Sequence, residues 1–205
     1  VTARPPRGAA WALTVLALGC SLAQPMPKTT GYVLEVTRQG PPGPGGGGVL
    51  RANRFRVAPR YERSDFVYRV GDGQYVDDFY HRFQASPGAA IRAGTIDWLR
   101  QSGLFASVLD AGGQEQADWL LEGQVQDLYG DLRDRRDPAA VLQLEIVLLD
   151  ARSTDLNVAF RKYYGVRARA GGSGPEALHA AWKEALARVL ADLEADLRAV
   201  VARRD

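Results

Sequence analysis

Hydrophobic residues along this chain recur at two spacings. Leu178, Trp182, Leu186, Val189, Leu193, Leu197 and Val200 return every three or four residues, the period that puts side chains on one face of an α-helix. Ser173-Gly174-Pro175-Glu176, just upstream, has the form of a capping box, so the pattern predicts a helix that opens there and runs to about Ala202. Such a stripe either lies along a sheet or meets a coiled-coil partner. A second helix is predicted after Ser86-Pro87, with Ser86 as cap and Pro87 in the first turn. Its Ile91, Thr95, Trp98 and Leu99 share a face, and Ser102-Gly103 ends it.

The other spacing is alternation, the mark of strands. Residues 31–39 read as a strand in which Tyr32, Leu34 and Val36 alternate with Val33, Glu35 and Thr37. Residues 49–60 form the next, closed by Pro59. Residues 66–70 and 74–83 flank Gly71-Asp72-Gly73, a tight-turn sequence, and predict a hairpin. Residues 104–109 make a short strand after the first helix, a strand-helix-strand passage that implies parallel pairing with an earlier strand. Residues 119–129, 141–151 and 156–169 follow with short links, which favours antiparallel neighbours. The fold class expected is α/β: one domain, a mixed and largely antiparallel sheet, and two main helices packed on it. Residues 40–48 are all Gly and Pro and are expected to be a mobile surface loop. The other reading, a phosphate cradle, lacks the Lys-Ser or Lys-Thr that should follow the glycines.

The chain's first residues do not belong to that fold. Arg4 and Arg7 precede an apolar stretch over residues 11–18, which is far shorter than the ~20 residues of a membrane-spanning helix and reads as an export signal. Cys20 follows directly, and it is the single cysteine of the chain, so no intramolecular disulfide is available to it. Gly19-Cys20 resembles the junction of bacterial lipoprotein signals, where the cysteine is acylated and becomes the first mature residue. Ordinary signal cleavage and a buried, inert thiol are the alternatives. Residues 1–19 are then signal, 20–30 a tether and 31–205 the folded body. In the lipoprotein reading, Ser21, where an Asp would favour inner-membrane retention, points to the outer membrane.

Composition narrows the function classes. The 26 basic and 24 acidic residues nearly balance, and the basic ones are almost all Arg, scattered among Asp and Glu rather than clustered, which argues against nucleic-acid binding. Only His81 and His179 are available as histidines, no serine sits in a nucleophile elbow, and two isolated histidines with one cysteine do not supply a closed metal site. Asp77 and Asp78 are adjacent and point to opposite faces of a strand. No enzyme activity, metal or cofactor is expected, although a pair of distant carboxylates is not visible in a sequence.

Val67-Tyr68-Arg69, Tyr75, Tyr80-His81-Arg82-Phe83, Ser86-Pro87, Leu99, Ser102-Gly103 and Phe105 together resemble the ABC-type transport auxiliary lipoproteins, the PqiC-like family. Phe83 stands where that pattern has Trp. Residues 117–123, Ala-Asp-Trp-Leu-Leu-Glu-Gly, are similar to a segment of several envelope lipoproteins. The resemblance implies a lipid-anchored protein at the periplasmic face of the outer membrane, with an ABC transporter or permease and a periplasmic MCE protein as partners in lipid transport. A homo-oligomer stays open.

Candidate function then lies in surfaces. Tyr68, Arg69, Tyr75, Tyr80, Arg82 and Phe83 gather aromatic and guanidinium groups on the hairpin, the residue types that dominate interfaces. They either pack the sheet against the helices or face outward to bind a partner, and alternation sends Tyr68 and Arg69 to opposite sides. The runner-up function is a stand-alone lipid carrier or envelope-assembly lipoprotein, which requires a sizeable apolar cavity.

Overall fold

A computed structural model describes residues 28–43, 45–112, 115–152 and 155–203; the signal segment and Cys20 lie outside the described residues. The longest strands form an antiparallel meander, β6 (Trp119–Asp131), β7 (Ala139–Asp150) and β8 (Asn157–Arg169). Two other strands share the remaining edge of β6 end to end. β2 (Val49–Val57) pairs in parallel along residues 119–125, and β3 (Asp65–Gly71) pairs in parallel only at Gly130 and Asp131. The sheet therefore forks. One branch continues from β2 to β5 (Ser107–Asp110), in parallel, and the other from β3 to β4 (Gln74–Phe83) and β1 (Thr30–Tyr32). These eight strands make one mixed, open sheet, as the fold class expected.

Both helices cover the same side. α2 (Pro175–Val201) packs on β7 and β8, while α1 (Pro87–Ser102) packs on β2 and β5 and touches α2. All seven residues of the α2 stripe are buried, against the alternate positions Leu142, Leu144, Ile146 and Leu148 of β7, so the stripe belongs to the sheet and not to a coiled coil. Burying such a side chain contributes about 1.5–3 kcal/mol. α1 begins at Pro87 and stops at Gly103, whose φ of 60° is the left-handed cap that favours glycine. Glu122, Gln124, Gln143, Arg161 and Tyr163 stand exposed on the opposite face of the sheet. Gly123 lies on the helix side, where an added Cβ would meet the Phe55 ring at 2.6 Å; glycine lets β2 and β6 pack a Phe flat on the sheet.

Three local expectations change. The strand expected over 31–39 pairs only through β1; beyond Tyr32 the chain leaves the sheet and crosses the helices. It keeps its alternation, Leu34 buried and Glu35 exposed, because any extended chain with one buried side has period two. His179 Nε2 donates to Val33 O at 2.9 Å, and the Arg38 guanidinium reaches Glu194 of α2. The Gly/Pro segment lacks regular structure but is fastened down: Gly43 N donates to Ser102 O at 2.6 Å, Gly47 N to Leu104 O at 3.1 Å, and Trp119 Nε1 to Gly47 O at 2.8 Å. The capping box does not form. Gly174 is the N-cap of α2, and Glu176 accepts the Tyr32 hydroxyl at 3.0 Å instead.

Candidate partner-binding surface

The β3–β4 hairpin forms with Tyr68 opposite Val76 and Arg69 opposite Tyr75, so cross-strand pairs share a face. Phe66 and Tyr68 turn toward the helices. Phe66 packs on Phe83 and Trp182, with ring centroids 4.6 and 4.8 Å apart. Phe83 is 2% exposed and belongs to this core, so its place in a partner-binding set is corrected: an aromatic ring between Phe66 and Trp182 has no outward face. Tyr68 is half-buried, and its hydroxyl donates to Asp78 at 2.8 Å.

Arg69 and Tyr75 stand on the other side, where no helix covers the sheet. The Tyr75 ring meets Tyr129 of β6 edge-on at 5.6 Å, and the Arg60 guanidinium lies over it, 3.9 Å from the ring centre. Arg69 reaches Asp72 at 3.3 Å through Nη2, while its buried Nε has no acceptor among the described residues. Arg133 extends the cluster by clasping Asp131 at 2.9 and 2.7 Å, which holds that carboxyl below its ordinary range. The result is a cluster in which guanidinium groups surround the half-buried Tyr75 ring above the buried Tyr129, with Asp72 and Asp131 pairing Arg69 and Arg133. Arg60, Tyr129 and Arg133 were not singled out from the sequence, because they come from a 3-10 turn (Pro59–Tyr61), from β6 and from the turn just after it, joined to the hairpin only by tertiary structure.

Tyr80 and Arg82 lie elsewhere, at the far end of β4. Between the pairs Phe66–Asp78 and Asp65–Arg82, β4 carries three extra residues, Phe79, Tyr80 and His81, which form a bulge. Asp78 organises it. Its Oδ1 accepts the Tyr80 and His81 backbone N–H groups at 2.9 and 3.1 Å, and its Oδ2 accepts Tyr68 Oη and His81 Nδ1 at 2.8 and 2.7 Å. Burial raises the affinity of this carboxyl for a proton, but the four hydrogen bonds outweigh it and hold the group below its ordinary range. Asp77, as adjacency implies, points to the other face.

Among the described residues, no group of three or more His, Cys, Asp or Glu is placed to hold a metal ion, and no helix is long and apolar enough to cross a membrane. The groove between residues 32–36 and α1, lined by Leu34, Val36, Phe83, Ala90 and Gly94, is open and about 370 Å³. That is near the small end of ligand pockets, ~300–1,000 Å³, and does not enclose a lipid.

The fold recurs in solved structures. Protein XCC0632 from Xanthomonas campestris superposes with a TM-score of 0.73 at 19% identity, covering 85% of this chain and 98% of that one. An uncharacterized protein gives 0.66 at 15% identity over 83% and 99% of the two chains. Protein CT253 from Chlamydia trachomatis gives 0.50 at 10% identity over 75% and 97%. No curated protein matches the chain. At these identities the likeness concerns the fold alone, whereas the model of one family matches residues 32–194, nearly the whole described body: the chain belongs to the family of ABC-type transport auxiliary lipoprotein components.

Proposed function

We propose that this protein is a non-catalytic outer-membrane lipoprotein, anchored through acylated Cys20, that docks a periplasmic MCE-type protein of an ABC-driven lipid-transport system. Membership of the auxiliary family supports the transport context. The observation that carries the docking role is the half-exposed Arg60–Tyr75–Arg69 cluster, a preassembled group of the residues that supply interface hot spots, on a sheet face without a helix. A carrier would hold its cargo in a sizeable apolar cavity, and the apolar groove beside α1 is open and small.

The contact is made by Arg69 and Tyr75. Tyr68 and Phe83 set the hairpin's position from inside, and Tyr80 and Arg82 lie at the other end of the strand, outside this contact. A pull-down with the lipidated chain from detergent-solubilised envelopes tests the reading. The MCE-type partner should be recovered with the wild type, and recovery should fall about tenfold or more with Tyr75→Ala or Arg69→Ala, as the loss of a hot spot implies. Equal recovery with both folded variants would place the contact elsewhere; recovery of lipid without protein would favour the carrier.

A further inference from the structure

Exposed large apolar side chains gather in two regions of the sheet. Among the described residues, Leu156, Val158 and Tyr163 belong to the β8 side, and Val33, Val70, Val76, Phe79 and Tyr80 to the wing built from β1, β3 and β4. Phe79 is 67% exposed and Tyr80 48%, and both project from the bulge that the Asp78 carboxylate fastens by its four hydrogen bonds. The rings are thus held outward by ordered backbone. A Phe and a Tyr exposed side by side cost solubility, and the fold uses a half-buried carboxylate to keep them there.

What covers them follows from where the chain arrives. Thr30 pairs with His81 and Gly31 with Arg82, so the tether joins the body beside the bulge. Ten residues from Cys20 to Thr30 reach at most about 35 Å. A lipid on Cys20 therefore keeps the Phe79–Tyr80 pair within reach of the bilayer surface at all times. Lys28, two residues before β1, and Arg82, paired with Gly31, are exposed at this junction and available to lipid phosphates, while the Asp78 charge is absorbed by its own hydrogen bonds.

We propose that the Phe79–Tyr80 bulge inserts into the headgroup region of the membrane that holds the lipid anchor, as a second, protein-made contact. The proposal rests on the lipidation of Cys20. Aromatic side chains with one apolar and one wet end settle at that depth. The contact fixes the orientation of the body: the β1/β4 end faces the membrane, and the Tyr75 end of β4, about 15 Å further along at the rise of a β-strand and with Arg69 across from it on β3, faces the periplasm, where a partner arrives.

The experiment uses the lipidated chain in vesicles of brominated phosphatidylcholine, with Phe79→Trp as reporter and Tyr163→Trp, on the opposite edge strand, as control. Trp98, Trp119 and Trp182 are buried and contribute the same background to both. Emission gained in the Phe79→Trp variant should be quenched about twofold, since an interfacial ring sits ~5–10 Å into the headgroup/acyl boundary, and emission gained in Tyr163→Trp should be unchanged. Acylated protein with neither reporter quenched, or with both quenched equally, would overturn the membrane contact alone. Absence of acyl mass on Cys20 would remove the tether and this contact with it.

Discussion

At the scale of single residues, Glu194 shows how much one side chain can join. It is 8% exposed within the apolar stripe of α2, and its carboxylate accepts Arg38 Nε at 2.7 Å, Arg38 Nη2 at 2.9 Å, Trp98 Nε1 at 2.9 Å and Arg198 Nη2 at 2.6 Å. The segment after β1, α1 and α2 thus meet on one charge. The Arg38 guanidinium foremost, against the cost of burial, holds this carboxyl below its ordinary 4.5. A depressed folded-state value means that the stabilisation is complete above 4.5 and is lost as pH falls through the folded value. Glu194→Gln should therefore cost about 2 kcal/mol, or roughly 5 °C in melting temperature, at neutral pH, with the gap to wild type closing in acid. Melting curves at about pH 7 and pH 3 check this; a gap that stays constant would mean that the charge is not what matters. A stripe read by its apolar members passes over Glu194, since nothing local says that two arginines and an indole will converge on it.

At the scale of elements, periodicity recovered what is local and missed what is joined at long range. α2, α1, the β3–β4 hairpin and the β6–β8 meander all follow from spacing, turns and the Gly103 stop within their own segments. The fork at β6 does not, because β2 and β3 are near each other in sequence yet pair in parallel with a strand some sixty to seventy residues onward, and only the whole core selects that arrangement. The bulge at 79–81 was likewise hidden: strand alternation over 74–83 reads as continuous, although Asp78, a weak strand former with a short acceptor side chain, was its local signal. The packing of α2 yields a paired prediction. Leu186 is fully buried, so Leu186→Asp places an unpaired charge in the sheet contact and should cost about 4 kcal/mol or more. Arg188, two residues on, makes an exposed pair with Glu184, and Arg188→Ala should stay within about 0.5 kcal/mol. Chemical denaturation of both variants decides it; equal midpoints would mean that the stripe carries no packing energy.

At the scale of the whole molecule, the two proposed contacts sit at opposite ends of one strand: β4 carries Tyr75, cross-strand from Arg69 of β3, at its start and the aromatic bulge at its finish, beside β1. The residue types of the site were legible, since Tyr and Arg stand out on the hairpin, but their sorting was not. Which ring is core, as Phe83, and which is exposed, as Phe79, depends on a register shift that only the folded sheet defines. The arrangement works only if the protein is held at a membrane. Because the bulge presents two rings and no extended apolar face, its own hold is weak; acyl chains, at about 0.8 kcal/mol per buried methylene, must supply residence, and the bulge only orientation. Cys20 should therefore be decisive for location and indifferent for fold. Metabolic labelling with a palmitate analogue should mark the wild type and not a Cys20→Ala variant, which should leave the membrane fraction while melting at the wild-type temperature. Continued labelling of Cys20→Ala would remove the anchor from this residue, and continued membrane residence without label would shift the anchoring role from the lipid to the protein surface itself.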